Sequence, residues 1–170
     1  AARDTEGVFY LRIEDTDQKR EVENGIEGIV EDLNNFAENT VVTVTAVNGG
    51  KCVDTSMGFT PQDGVPMGTR SGAIDPTVVT YIQKVKGLTA EQADNILNKQ
   101  SGLLGVSGVS SDCRDVMMAA ADGNERAGLA IDILIHNIKK IIGSYIAEMN
   151  GVDALVFTAG IGENDKLVRE

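Results

Sequence analysis

The chain has 170 residues, 42% hydrophobic and 24% charged, which suits one ordinary globular domain or two very small ones. Its formal net charge of −11 disfavours nonspecific attraction to nucleic acid or to an anionic membrane surface. No apolar run approaches the roughly 20 residues that span a bilayer, and the opening residues do not read as a signal peptide, so a cytoplasmic setting with no membrane partner is expected.

Residues 8–13, Val-Phe-Tyr-Leu-Arg-Ile, read as a strand by β-propensity, closed by the acidic cluster Glu14-Asp15-Thr16-Asp17. From Val22 to Phe36 the apolar residues recur at helical spacing and give one buried face. Gly25 and Gly28 weaken that helix by about 1 kcal/mol each relative to alanine. Val41 to Val47 is a second strand, and Asn48-Gly49-Gly50 signals a hairpin leading to Lys51-Cys52-Val53. Residues 57–76 carry Gly58, Pro61, Gly64, Pro66, Gly68, Gly72 and Pro76, the mark of a long ordered loop, and such loops are commonly functional.

Helices are expected at 76–86 and 89–99, the second entered through Thr89 with Gln92 at capping-box spacing. Gly102 to Asp115, rich in Gly and Ser, reads as another loop. A long helix follows from Asn124 to Met149, with an apolar stripe that includes Ala127, Ile131, Leu134, Ile138, Tyr145 and Met149 and a C-cap at Asn150-Gly151. A strand at 153–158 then breaks into Gly160-Ile161-Gly162 and a polar segment that can open a short helix. A strand, a tight turn and a helix N-terminus bring backbone N–H groups and a positive dipole end to an anion, although glycine pairs mostly make plain turns.

Several side chains could carry chemistry. Arg70, in Met67-Gly68-Thr69-Arg70-Ser71-Gly72, can clamp a carboxylate or phosphate with paired hydrogen bonds, or can pair with Asp54, Asp63 or Asp75. Asp112, Cys113 and Arg114 line a nucleotide pocket or form a solvated, self-paired loop. The Glu14-Asp15-Asp17 cluster reads as a metal or amine site or as solvated surface. The single histidine, His136, has Asp132 and Lys140 one turn to either side and belongs at the polar edge of its helix, which argues against a His-based metal centre. Cys52 and Cys113 lack metal-ligand spacing and read as two buried free thiols in a reducing compartment.

Four ordered stretches, Val53 to Pro61, Met67 to Pro76, Ser101 to Asp115 and Val156 to Asn164, closely resemble acetate kinase, and the likeness runs from about Thr43 to Glu170. It implies an α/β fold of the actin-like/sugar-kinase type, built from ribonuclease-H-like domains with a mixed sheet and packed helices, of which this stretch looks like much of the second. It also implies phosphoryl transfer between ATP and acetate, or another short carboxylate, with Mg²⁺ and within a homodimer. On this likeness Arg70 stabilises the charge on the phosphoryl group in flight. Asp112, Cys113 and Arg114 lie along the adenosine, and Gly160, Ile161, Gly162, Glu163 and Asn164 form the nucleotide turn. No residue is assigned as a metal ligand.

Residues 3–36 are similar instead to a segment of the glutamyl-tRNA synthetase catalytic domain, through Arg3-Asp4-Thr5 and Arg12-Ile13-Glu14-Asp15-Thr16-Asp17. Glu14 would then correspond to a glutamate-binding position, while that family's HIGH and KMSKS signatures are absent from the sequence. Two segments are expected, 1–38 synthetase-like and 39–170 acetate-kinase-like. Near the junction, Ala37 to Val42 stands where acetate kinases carry a Gly-rich phosphate-binding turn. The family's other domain, with its acetate-site arginine and the histidine that assists transfer, lies outside the matched stretch, as does a magnesium-binding glutamate. The chain alone is therefore expected to be weakly active or inactive. A non-catalytic binding or dimerisation segment is the alternative, and a glutamate–tRNA ligase fragment a third reading.

Overall fold

The computed structural model describes residues 6–12 and 42–158, with side-chain surroundings for 42–157. The helix expected over 22–36, the Glu14-Asp15-Asp17 cluster, most of the junction and the glycine turn with its final helix lie outside the described residues. The chain divides into two compact units, one comprising Gly58–Leu134 and the other the segments before and after it.

The flanking unit holds a four-stranded sheet made of β1 (Glu6–Arg12), β2 (Val42–Asn48), β3 (Lys51–Thr55) and β4 (Ala154–Thr158). The strand order is β3-β2-β1-β4. β1 runs parallel to β2, from Glu6 opposite Val42 to Arg12 opposite Asn48, and antiparallel to β4, from Gly7 opposite Thr158 to Leu11 opposite Ala154. The strand expected from the β-propensity of 8–13 is thus an inner strand. β2 is buried from Val42 to Val47, as an inner strand of mostly β-branched residues should be.

The hairpin forms where Asn48-Gly49-Gly50 predicts it. Gly49 and Gly50 both have positive φ, +58° and +74°, the conformation that lets a two-residue turn follow the twist of its strands. The register then passes from Val47 opposite Cys52 to Ala46 opposite Asp54, which leaves Val53 as a bulge. Beside it Thr45 and Thr43 approach Thr55 through their hydroxyls, each at 3.3 Å. Cys52 is exposed on β3 and only Cys113 is buried, which corrects the expectation of two buried thiols. An edge strand exposed along its whole length cannot bury the thiol it carries.

The central unit contains α1 (Pro76–Lys86), α2 (Ala90–Lys99), α3 (Gly102–Ser107) and α4 (Cys113–Ala121). The long helix α5 (Glu125–Glu148) contributes its first ten residues here and the remainder, from Ile135, to the sheet unit. Asp75 caps α1 ahead of Pro76, and the capping box between Thr89 and Gln92 is fully formed at the start of α2. Asn124 accepts the Ala127 N–H at 3.0 Å and so caps α5. At its far end Asn150 takes the left-handed conformation, with Gly151 N–H reaching Ile146 O and Asn150 N–H reaching Ala147 O, a Schellman motif. Ala127, Ile131, Leu134, Ile138, Tyr145 and Met149 of the predicted stripe are buried, and His136 is exposed as its polar neighbours imply.

Residues 102–115 are not a loop. α3 buries Leu103 and Ser107, and Asp112 caps α4, whose Val116 is fully buried. Gly108 takes the left-handed C-cap position of α3 and Ser110 and Ser111 precede the Asp112 cap of α4, so turn-forming residues between two short helices gave a loop-like pattern.

Candidate functional site

Arg70 lies in a loop whose path is set by backbone hydrogen bonds. Met67 N–H donates to Arg70 O at 3.1 Å, Ser71 N–H to Leu97 O at 2.9 Å, and Ser101 N–H to Thr69 O at 2.9 Å. The first N–H groups of α3 complete the attachment, Leu103 to Met67 O and Leu104 to Gly68 O, both at 2.9 Å. Helix-opening N–H groups with no partner in their own helix are thereby satisfied by the loop rather than left for an anion. The Thr69 hydroxyl adds a bond to Asn98 O at 2.9 Å. Beneath the loop Val65 and Met67 are essentially fully buried.

The Arg70 side chain is half-buried, and its one hydrogen-bond partner among the described residues is Met67 Sδ, 3.7 Å from Nη1. Neither Asp63 nor Asp75 pairs with it. Asp63 accepts from Gly64 N–H at 2.8 Å, and Asp75 accepts from the Thr77 N–H and hydroxyl. Asp54, in the sheet unit, accepts Thr55 N–H at 2.7 Å and bonds to Tyr145. A guanidinium with five donors and a single sulfur contact retains its capacity for an anion.

Asp112, Cys113 and Arg114 stand together at the start of α4. Asp112 takes the Arg114 N–H at 2.8 Å, and the Arg114 side chain returns to the same carboxylate through Nε at 3.1 Å and Nη2 at 2.6 Å. Bonding from Arg114 is the first reason that the Asp112 carboxyl lies below its ordinary pKa. Ser110 links the turn, donating its hydroxyl to Asp115 at 2.8 Å and accepting Asp112 N–H at 3.1 Å. Cys113 is buried beneath. Asp112 and Arg114 are thus paired with each other at the start of a helix. Gly160, Ile161, Gly162, Glu163 and Asn164 lie outside the described residues.

A cleft of about 300 Å³ borders the arginine loop, lined by Pro66, Ser71, Ser101, Gly102, Val106 and Ile133 among others. Arg126 was not singled out from sequence. Its Nε and Nη2 donate to Val106 O and Gly105 O at 2.7 and 3.1 Å, closing the end of α3. Thr69 and Gly102, which hold the loop, were also missed, because a threonine before an arginine and a glycine after a helix are too common to stand out. Among the described residues no group of three or more His, Cys, Asp or Glu side chains is placed to hold a metal. No described helix is long and apolar enough to cross a membrane.

The Acetokinase family matches residues 19–170. Acetate kinase of Geobacillus kaustophilus is 59% identical over 127 residues, covering 75% of this chain and 32% of that protein. The chain therefore spans about a third of the length of the curated relatives it matches. The crystal structure of Porphyromonas gingivalis acetate kinase superposes with a TM-score of 0.74 at 40% identity, covering 98% of this chain and 35% of that one. A propionate kinase from Francisella tularensis gives 0.74 at 41% identity, covering 89% of this chain and 41% of that one. The fold is accordingly α/β, of the actin-like/sugar-kinase type. The family match begins at residue 19, inside the segment that resembles a synthetase. The chain belongs to the Acetokinase family.

Proposed function

We propose that the protein carrying this segment transfers the γ-phosphoryl group of ATP to acetate or another short carboxylate. A carboxylate oxygen bonds to the γ-phosphorus, the bond to the bridging oxygen breaks, and its electron pair leaves on ADP. The observation that carries this reading is Arg70, a guanidinium held in a backbone-anchored loop with no carboxylate partner among the described residues. Such a group neutralises charge on a phosphoryl group in transit, where positioning and electrostatics matter more than covalent chemistry.

In this proposal Asp112, Cys113 and Arg114 border the adenosine, and Gly160 to Asn164 form the nucleotide turn. Mg²⁺ accompanies the nucleotide phosphates, in keeping with its preference for phosphate and water oxygens. Among the described residues no cluster of His, Cys, Asp or Glu side chains is placed to hold it. A cytoplasmic setting, where ATP is abundant, belongs to the same reading. The chain itself is expected to bind adenine nucleotide while turning over weakly or not at all. ATP at about 100 times its Kd should stabilise the fold by about 2.7 kcal/mol. Hydroxylamine trapping of acyl phosphate, from MgATP and acetate, measures turnover. Absence of any thermal shift with ATP or ADP would sink the reading.

A second reading, an interaction or homodimerisation surface, is favoured by α1. That helix buries no residue and exposes Val78, Tyr81 and Val85. Sedimentation velocity across a concentration series tests it, and a monomer at every concentration would count against it. We also infer, from the synthetase-like run Arg12-Ile13-Glu14-Asp15-Thr16-Asp17, that residues 1–38 are a segment of separate origin from 39–170, against which the family match beginning at residue 19 counts. Intact mass with peptide mapping across 30–50 tests the junction, and one continuous polypeptide there would exclude two separate chains.

A further inference from the structure

The geometry points to Gly102 as the positioning residue for Arg70, an inference that rests on the phosphoryl-binding role proposed for that arginine. Gly102 opens α3 with φ +59°, a left-handed conformation that L side chains rarely adopt. A Cβ on it would collide with the Met67 carbonyl oxygen and stand 2.6 Å from the Arg70 carbonyl oxygen. These oxygens belong to the two residues that close the arginine turn, joined by Met67 N–H to Arg70 O at 3.1 Å. The missing side chain is therefore what allows the turn to rest directly on the start of α3.

The contact fixes Arg70 from both sides of its own peptide units. Thr69 O accepts Ser101 N–H, and Ser71 N–H donates to Leu97 O, both at 2.9 Å. Leu103 and Leu104 N–H hold the carbonyls of Met67 and Gly68, and the Thr69 hydroxyl holds Asn98 O. Every one of these partners lies between residues 97 and 104, so the end of α2 and the start of α3 act as one clamp. Among the described residues the Arg70 side chain bonds to Met67, which sits in the same clamp, and so it follows wherever the backbone is placed. A methyl group at 102 would push the turn away from α3 and carry the guanidinium with it, leaving the charge intact and its position wrong. Displacements of about 1 Å cost on the order of 100-fold where positioning is the chemistry.

The test uses the whole chain and inorganic phosphate as the probe, followed by ³¹P NMR, with amide hydrogen exchange as an independent readout. Gly102→Ala should weaken phosphate binding by about tenfold or more and release the Met67, Ser71 and Ser101 amides to exchange together. In an Arg70→Ala background the same substitution should change phosphate binding by less than about twofold, because a positioning residue has nothing left to position. Thr69→Val, a milder change that removes one clamp bond, should give the same pattern at about threefold and serves if Gly102→Ala does not fold. Amides that stay protected in Gly102→Ala, or losses that multiply in the double variant, would overturn the inference while leaving the role of Arg70 standing. Equal phosphate binding by Arg70→Ala and the parent, or none by the parent, would overturn the role of Arg70 and this inference with it. Amide release in Gly102→Ala would then establish the backbone clamp alone.

Discussion

Arg114 folds back on Asp112, two residues before it, and grips both oxygens of that carboxylate with Nε at 3.1 Å and Nη2 at 2.6 Å. The same carboxylate caps α4 by accepting Arg114 N–H. The two roles differ in strength. The ion pair is exposed, 74% at Arg114 and 37% at Asp112, and solvent screening holds such pairs to about 0.5 kcal/mol. The cap is worth about 1 kcal/mol. Asp112→Ala should therefore destabilise by about 1.5 kcal/mol in urea unfolding and Arg114→Ala by about 0.5 kcal/mol. Because Asp112 has a depressed pKa in the fold, its contribution is present above its ordinary value of 3.8 and disappears as pH falls below it.

Tyr145 gives the opposite pH dependence. Its ring is buried, and burial first, then the negative charge of Asp54, holds its hydroxyl well above the usual tyrosine pKa. A raised pKa in the fold means stability that is complete below the unfolded value of 10 and lost as pH rises beyond it, since only the unfolded chain then releases the proton. Urea midpoints should fall between about pH 10 and 11 in the parent, and Tyr145→Phe should fall less. At pH 7 the same substitution should cost about 1 kcal/mol through the lost bond to Asp54. Parallel midpoint curves for the two proteins would refute the assignment.

Periodicity and capping made most of the described fold legible. β2, the Gly49-Gly50 hairpin, the bounds of α1 and the Thr89–Gln92 capping box follow from residue type and spacing, because each depends on neighbours close in sequence. α3 and α4 were hidden for the converse reason. Their ends are Ser, Gly and Asp, and what makes α3 a helix is partly that Leu103 and Leu104 N–H groups find carbonyls about 36 residues earlier. The exposed position of Cys52 depends on β3 being an edge strand, which no local pattern encodes. The glycine-rich setting singles out Arg70, but whether Asp63 or Asp75 neutralises it could be decided only by geometry.

Gly72 shows how tightly the arginine loop is packed. It has φ +71°, and a Cβ there would stand 2.6 Å from Pro66 N and 2.8 Å from Gly64 O, both backbone atoms with little room to yield. Left-handed strain and overpacking each cost about 1–3 kcal/mol. Gly72→Ala should therefore lower stability by about 3 kcal/mol. Gly87→Ala, at φ +66° with nothing within 4 Å, should cost only about 1 kcal/mol. Chemical denaturation of the two variants in parallel separates close contact from backbone strain, and equal losses would mean that the loop relaxes freely around residue 72.

Arg70 itself separates chemistry from stability. Its bond to Met67 Sδ at 3.7 Å is weak and its side chain is half-buried, so Arg70→Ala should change unfolding stability by no more than about 0.5 kcal/mol. Its proposed charge-neutralising role predicts a far larger effect on turnover, a loss of about 10³-fold, equivalent to about 4 kcal/mol of barrier. Arg70→Lys keeps the charge but not the planar fork and should fall between parent and alanine variant. Hydroxylamine trapping of acyl phosphate, run on the full-length protein carrying this segment, reads all three. Turnover within tenfold of the parent in Arg70→Ala would remove this residue from the reaction. A large loss of turnover at unchanged stability marks a group that acts on the reactants, since a purely structural arginine would lower both together.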